Sequence, residues 1–236
     1  MLKSILLFFL LFSFAFSLGN ENISSFSKSK KILNKKIYNI EKLRYAFYSN
    51  CKYNYEKYKY DSGKERWKLV VNKESCGYIP RTKSQRANFI EFEHIVPAHA
   101  FGQYLPCWKN GGRKNCRKVS KKFRFMEADL YNLVPAIGEL NADRSNFTFT
   151  ELVGEPRKYG KVDFEVDFKM RKVEPRSKVK GQIARTYFYF QKTYNLPISK
   201  KQLHLFNVWN KQYPETTQEI EVNKIKEKIQ GNKFIY

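Results

Sequence analysis

Asn88-Phe89-Ile90-Glu91-Phe92-Glu93-His94-Ile95-Val96-Pro97-Ala98 sets Ile90, Phe92, His94 and Val96 on one face of an extended chain and Glu91, Glu93 and Ile95 on the other. That is the two-residue period of a strand, and Pro97 stops it. The strand expected over 88–96 therefore carries, near its end, a histidine beside two carboxylates, and that end is free to face a cleft. Adjacent side chains on a regular strand point to opposite faces, so a site shared by Glu93 and His94 predicts a twist or bulge over 93–95. Regular strand geometry through His94 counts against that shared site.

Working outward, 67–71 is a second strand candidate, rich in Trp, Leu and Val. Residues 24–31 are polar and rich in Ser and Lys, which predicts a flexible segment. Leu33, Ile37, Ile40, Leu43 and Phe47 recur at helical spacing and predict a core-packing helix. Residues 107–124 carry eight Lys or Arg with Gly111 and Gly112 and read as a basic loop. From Asp129 onward, Leu130, Leu133, Ile137 and Leu140 suit a helix. Pro135 is acceptable only in its first turn, so the helix is expected to begin near Leu133. Further helices are expected over 183–194, from Ser199 with Gln202 completing a capping box, and up to Gly231. Few strands, several helices and no regular alternation point to an α+β fold. At 236 residues with 42% hydrophobic content, one domain accounts for the chain.

Lys3, the apolar run 5–16 and the small residues Ala15, Ser17 and Gly19 read as a secretory signal peptide over 1–19, with an uncleaved membrane anchor as the alternative, leaving 20–236 as the mature domain. The apolar run is shorter than the roughly 20 residues a spanning helix needs, so no stable membrane association is expected after cleavage, and the location is periplasmic or secreted. Cys51, Cys76, Cys107 and Cys116 form no Cys-x-x-Cys zinc pattern, and an even number in an exported chain suggests two disulfides. Three pairings are open. The sequential one is favoured because Cys107 to Cys116 closes a short polar loop containing glycine. The formal charge is +23, one of which belongs to Lys3, leaving about +22 on the mature chain. Such a field attracts polyanions of several kinds, from phosphate backbones to anionic lipids and cell-wall polymers.

Hydrolysing a phosphodiester needs a nucleophile generated near neutral pH, neutralisation of phosphorane charge and stabilisation of the departing oxygen. A neutral histidine with a bound divalent cation supplies all three. The segment 126–146 adds Asn, Asp and Arg side chains inside an otherwise apolar pattern, a density that is costly to bury without a task.

Taken together, Glu-Phe-Glu-His-Ile-Val-Pro-Ala at 91–98, Cys-Trp-Lys-Asn-Gly-Gly-Arg-Lys-Asn-Cys at 107–116, the run 129–146, Val-Asp-Phe-Lys at 166–169 and 181–189 resemble the endonuclease I family of periplasmic and secreted non-specific nucleases. The resemblance spans nearly the whole mature chain. It implies a single α+β domain with a ββα-metal, or His-Me finger, active-site motif and several flanking helices. It further implies His94 as general base and Glu93 and Asn132 as metal ligands, with water and phosphate oxygens completing the shell. Oxygen ligands suit magnesium, with manganese or calcium as alternatives. The activity implied is sequence-non-specific endonucleolytic cleavage of DNA, with RNA a further candidate, giving 5′-phosphorylated ends from a monomeric enzyme. Many family members carry more cysteines, one of them near Lys161 or Val162 here, which puts rigidity in question at that place.

Arg113 and Arg144 are candidates for gripping phosphate, with a structural ion pair as the alternative for each. Glu91 reads as an orienting carboxylate or an exposed strand residue. Glu127, Asp129 and Glu139 carry the same two readings, with the surface one ahead. His99 lies near His94 but outside the motif, and His204 reads as a packing or surface residue. Tyr104, Trp108 and Tyr131 could stack on bases, although most of the 39 aromatic residues must be core. Two rival functions remain: an inert basic protein that captures extracellular nucleic acid, and an exported enzyme for other phosphodiesters such as lipid head groups.

Overall fold

The computed structural model describes residues 19–154 and 157–236. The expected signal segment, Gly19 apart, lies outside the described residues. Among those described, no helix is long and apolar enough to cross a membrane.

The expected flexible segment is instead helical. Ser25 caps α1 (Phe26–Ile32) by accepting from Lys28 N, and the helix widens into a π-type turn over Leu33–Ile37. Its polar sequence hides two anchors: buried Ser29 donates to the Ala128 carbonyl at 2.5 Å, and Phe26 packs on His94 with ring centroids 4.5 Å apart. The apolar stripe continuing to Phe47 is core, as expected, but not one helix. The chain leaves helical geometry at Tyr38, forms only a short turn at Glu41–Leu43, and still buries Leu43 and Phe47.

An antiparallel ribbon follows, β1 (Tyr53–Lys59) with β2 (Glu65–Val71). Next, β3 (Ile90–His94) pairs antiparallel with β4 (Leu133–Ile137), setting Glu93 opposite Val134 and His94 opposite Leu133. The helix expected from Leu133 is therefore a strand. All five residues of β4 are buried, and a short, fully buried apolar run fits either element until tertiary pairing decides. Pro135 is tolerated because β4 has a ladder partner on one side only. Helix α6 (Gly138–Arg144) begins directly after β4.

Between β3 and β4 lie α2 (Ala98–Gly102), α3 (Pro106–Lys109), α4 (Gly112–Val119) and α5 (Lys121–Glu127). The expected basic loop is thus helical, turned at Gly111 with φ +122° and Gly112 with φ +62°. Cys107 joins Cys116 across that turn, and Cys51 joins Cys76, the sequential pairing. A three-stranded sheet of β5 (Thr148–Phe149), β6 (Phe164–Asp167) and β7 (Lys172–Pro175) has the order β5-β7-β6. Three longer helices close the chain: α7 (Ser177–Tyr194), α8 (Lys200–Gln212) and α9 (Thr217–Gln230). Ser199 caps α8 by accepting from Gln202 N, while the Gln202 side chain turns to the Phe149 carbonyl, so only half of the capping box forms. Gly231, in left-handed conformation, ends α9. Near Lys161, backbone hydrogen bonds from Ile79 to Tyr159 and from Lys161 to Gly77 tie the two segments together without a cross-link.

Three acids expected at the surface are buried, each with a structural duty. Asp129 accepts from Tyr189, Tyr194, Gln230 and the Tyr131 backbone. Glu139 accepts from Tyr78, the Arg81 backbone and Thr82. Glu127 belongs to the site described next.

Candidate active site

Strand β3 has β4 on one edge only. Along its free edge runs a cleft of about 1140 Å³, and all five residues of the strand line it. The ladder is regular through His94, without the expected bulge. Alternation holds: Phe92 and His94 face the N-terminal segment, where they meet Tyr38, just past the π-type turn, and Phe26 of α1, while Glu91 and Glu93 face α6, where they meet Asn141 and Arg144. Regular geometry here does not separate the two side chains, because the edge of β3 is free. Where a strand has no neighbour, side chains from both faces border one space around it.

His94 is buried, and its Nε2 lies 2.8 Å from the Glu127 carbonyl oxygen. A carbonyl only accepts, so Nε2 carries the proton and Nδ1 is left with the basic lone pair. Burial, and then the positive charge of Arg113, lower its pKa to about 4, although the Glu127 contact pulls the other way. The ring is therefore neutral at physiological pH. Glu127 is the organiser of this wall. Its carboxylate accepts from Arg113 at 2.6 Å and from Arg117 at 2.9 Å while its carbonyl holds His94. Burial raises the Glu127 pKa, but the two arginines outweigh burial and bring it below the usual carboxylate range.

Across the cleft floor, Glu93 Oε1 meets Arg144 at 3.1 Å and the Tyr48 hydroxyl at 3.3 Å. Its Oε2 has no side-chain partner among the described residues. Burial drives its pKa up to about 7 against the pull of Arg144 and Tyr48. Asn141, in α6, donates Nδ2 to Glu91 at 2.7 Å, which fixes the amide and leaves Oδ1 without a hydrogen-bond partner among the described residues. Glu91 is itself gripped by Arg86 at 2.8 and 2.6 Å. Glu91 is thus an orienting carboxylate.

Among the described residues no cluster of three or more His, Cys, Asp or Glu could hold a metal. Two oxygens on one cleft without a side-chain partner among the described residues, Glu93 Oε2 and Asn141 Oδ1, instead fit a hard cation that keeps most of its shell as water and phosphate oxygens. The chemistry of this donor set suits magnesium better than zinc.

The endonuclease I family pattern matches residues 25–236. The chain belongs to the endonuclease I family. It is 45% identical over 213 residues to an extracellular deoxyribonuclease of Aeromonas hydrophila, covering 90% of this chain and 87% of the relative. It is also 46% identical to a periplasmic deoxyribonuclease of the same organism over 79% of this chain and 75% of that one. An Endonuclease-1 of Buchnera aphidicola subsp. Baizongia pistaciae is 40% identical over 98% of this chain and 92% of its own length.

At two positions the observed contacts differ from the roles expected from the sequence. Asn132 lies outside the cleft, fully buried, with Oδ1 accepting from Val96 N at 2.7 Å and Nδ2 donating to Val96 O at 2.9 Å. Both ends of its amide are consumed in clamping the chain after β3, which leaves neither turned to the cleft as the expected ligand role requires. Arg144, equally buried, spends its guanidinium on the His94 and Ile95 carbonyls and on Glu93, the ion-pair alternative rather than a grip on phosphate. Arg113 does line the cleft, held through Nε on Glu127 and about 40% exposed. Sequence reasoning missed Asn141, Phe26 and the role of Glu127. A strand reading of 133–137 would have started a helix at Gly138 and set Asn141 one turn inside it. Of the other candidates, His99 and Trp108 line the cleft edge to face, centroids 5.7 Å apart. His204 and Tyr104 are exposed, and Tyr131 is core with its hydroxyl on the Asn232 carbonyl.

Proposed function

We propose that this protein is an exported, metal-dependent, sequence-non-specific endonuclease acting on DNA, and on RNA where strands can enter the same cleft. The single observation that carries the reading is the pairing, around one strand edge, of a neutral histidine with two oxygen donors that no other side chain engages among the described residues. His94 Nδ1 takes the proton of the attacking water, and the Glu127 carbonyl holds the ring in the tautomer that makes this possible. Glu93 and Asn141 would hold a magnesium ion, whose chemistry there would be charge neutralisation at the scissile phosphate and the leaving oxygen. Arg144 and Asn132 fix the backbone on which Glu93 and His94 ride. Arg113, steadied by Glu127, offers its outer nitrogens to the phosphate. Departure of the 3′ oxygen gives 5′-phosphorylated ends.

The names of the relatives, deoxyribonucleases of extracellular and periplasmic location, support DNA as substrate and export of the chain over 20–236 after removal of 1–19. The two disulfides fit an oxidising compartment. The capture-protein reading is weaker, because simple binding needs neither a neutral buried histidine nor free oxygen donors behind it.

The test is supercoiled plasmid incubated with purified mature protein, once with magnesium and once with excess chelator. Nicked and then linear plasmid with metal, and intact plasmid with chelator, is expected. Tight binding without cutting under every divalent metal would overturn the proposal in favour of capture.

A further inference from the structure

The cleft does not end at His99. A second basin of about 500 Å³ shares Pro97, His99 and Asn146 with it, so one strand can lie through both. The corner between them is made by Ser145, at φ +50° and ψ −124°, a conformation that side chains adopt only under constraint. It turns the chain out of α6 so that Asn146 borders both spaces.

Arg171 stands in the second basin. Its Nη2 donates to Asn146 Oδ1 at 2.6 Å, and its guanidinium lies over the Phe147 ring at 4.9 Å. Four arginines line the two cavities. Arg86, Arg113 and Arg144 are paired with Glu91, Glu127 and Glu93, whereas Arg171 has no carboxylate partner among the described residues. No acid lines the second basin. A guanidinium that is stacked, aimed by one hydrogen bond and otherwise free is a pre-organised fork for phosphate oxygens.

We infer that Arg171, with Asn146 and Phe147, forms a second phosphate subsite, which grips the substrate strand one position away from the bond being cut. The inference rests on the nuclease reading above and deepens it: the site is built for a polymer of phosphodiesters, and a lone diester fills only its first half.

Two assays test it together. One is binding of a short single-stranded oligonucleotide in excess chelator. The other is cleavage, with magnesium, of that oligonucleotide and of bis(p-nitrophenyl) phosphate, which has a single diester. Arg171 sits at φ +55°, so Arg171→Asn, which tolerates left-handed backbone, is the variant of choice. Arg171→Lys keeps the charge without the fork, and Lys228→Ala on the exposed face of α9 controls for net charge.

Arg171→Asn is expected to weaken oligonucleotide binding about tenfold and to reduce the salt slope by about one. The efficiency ratio of oligonucleotide to small diester falls by a similar factor through KM, Arg171→Lys falls between, and Lys228→Ala stays near wild type. Wild-type affinity and ratio in Arg171→Asn, or loss of both substrates by one common factor, overturns the subsite. Should wild type cut neither substrate, the nuclease reading fails, and the chelator binding data still decide on Arg171.

Discussion

A histidine serves as general base only if one nitrogen keeps its lone pair, and His94 owes that to a backbone carbonyl rather than a carboxylate. Burial and Arg113 hold its pKa near 4, while burial lifts Glu93 to about 7. The two shifts predict a metal-dependent pH profile. With metal saturating, Glu93 stays ionised, and the acid limb of kcat/KM belongs to His94, well below the ordinary histidine value of about 6.5. With metal limiting, protons compete for Glu93 and the limb climbs towards 7. A limb fixed at one pH whatever the metal concentration would contradict both assignments. Stability follows from the same shift. Metal-free native protein keeps a proton on Glu93 that the unfolded chain, titrating near 4.5, has released. The contribution is present below 4.5 and lost as pH rises through about 7. Glu93→Gln removes that dependence, so denaturant midpoints should favour the variant more above pH 7 than below 4.5, as binding of metal is lost.

Among the elements, β3 was legible because its alternation and terminal Pro97 are local signals. Strand β4 was not, since Leu133 to Ile137 is buried throughout and a continuous apolar run carries no period. That misreading cost the site its second oxygen donor: with a helix begun at Leu133, Asn132 stood at its start and Asn141 was one polar residue among several. Helix α1 stayed hidden because its composition is that of a linker and its anchors, Ser29 on Ala128 and Phe26 on His94, are long-range. The corrected roles predict opposite outcomes for two asparagines. Asn132→Ala leaves the Val96 backbone unsatisfied and should cost about 1–3 kcal/mol of stability, visible as a lower melting temperature, with metal affinity retained in the folded fraction. Asn141→Ala should melt near wild type and bind metal more weakly in calorimetric titration. The reverse pattern would restore Asn132 as a ligand.

At the scale of the whole molecule, a charge of +23 on 236 residues says that a polyanion is attracted and says nothing about cutting it. Much of that charge is ordinary surface; what the fold adds is a short list of cations turned to one cleft, Lys30, Lys31 and Arg113 among them. Binding of duplex DNA in excess chelator is therefore predicted to weaken steeply and linearly in log–log terms with salt, and alike for unrelated sequences. A strong sequence preference, or affinity indifferent to salt, would contradict this. Cutting itself is assigned to one imidazole on the free edge of a two-stranded ribbon. The most direct test is single-turnover cleavage of supercoiled plasmid by His94→Ala with magnesium, beside its DNA affinity in chelator. A loss of about a hundredfold or more, with affinity kept and partial recovery on adding free imidazole, is the predicted result; cutting at the wild-type rate would contradict the assignment of His94 as base.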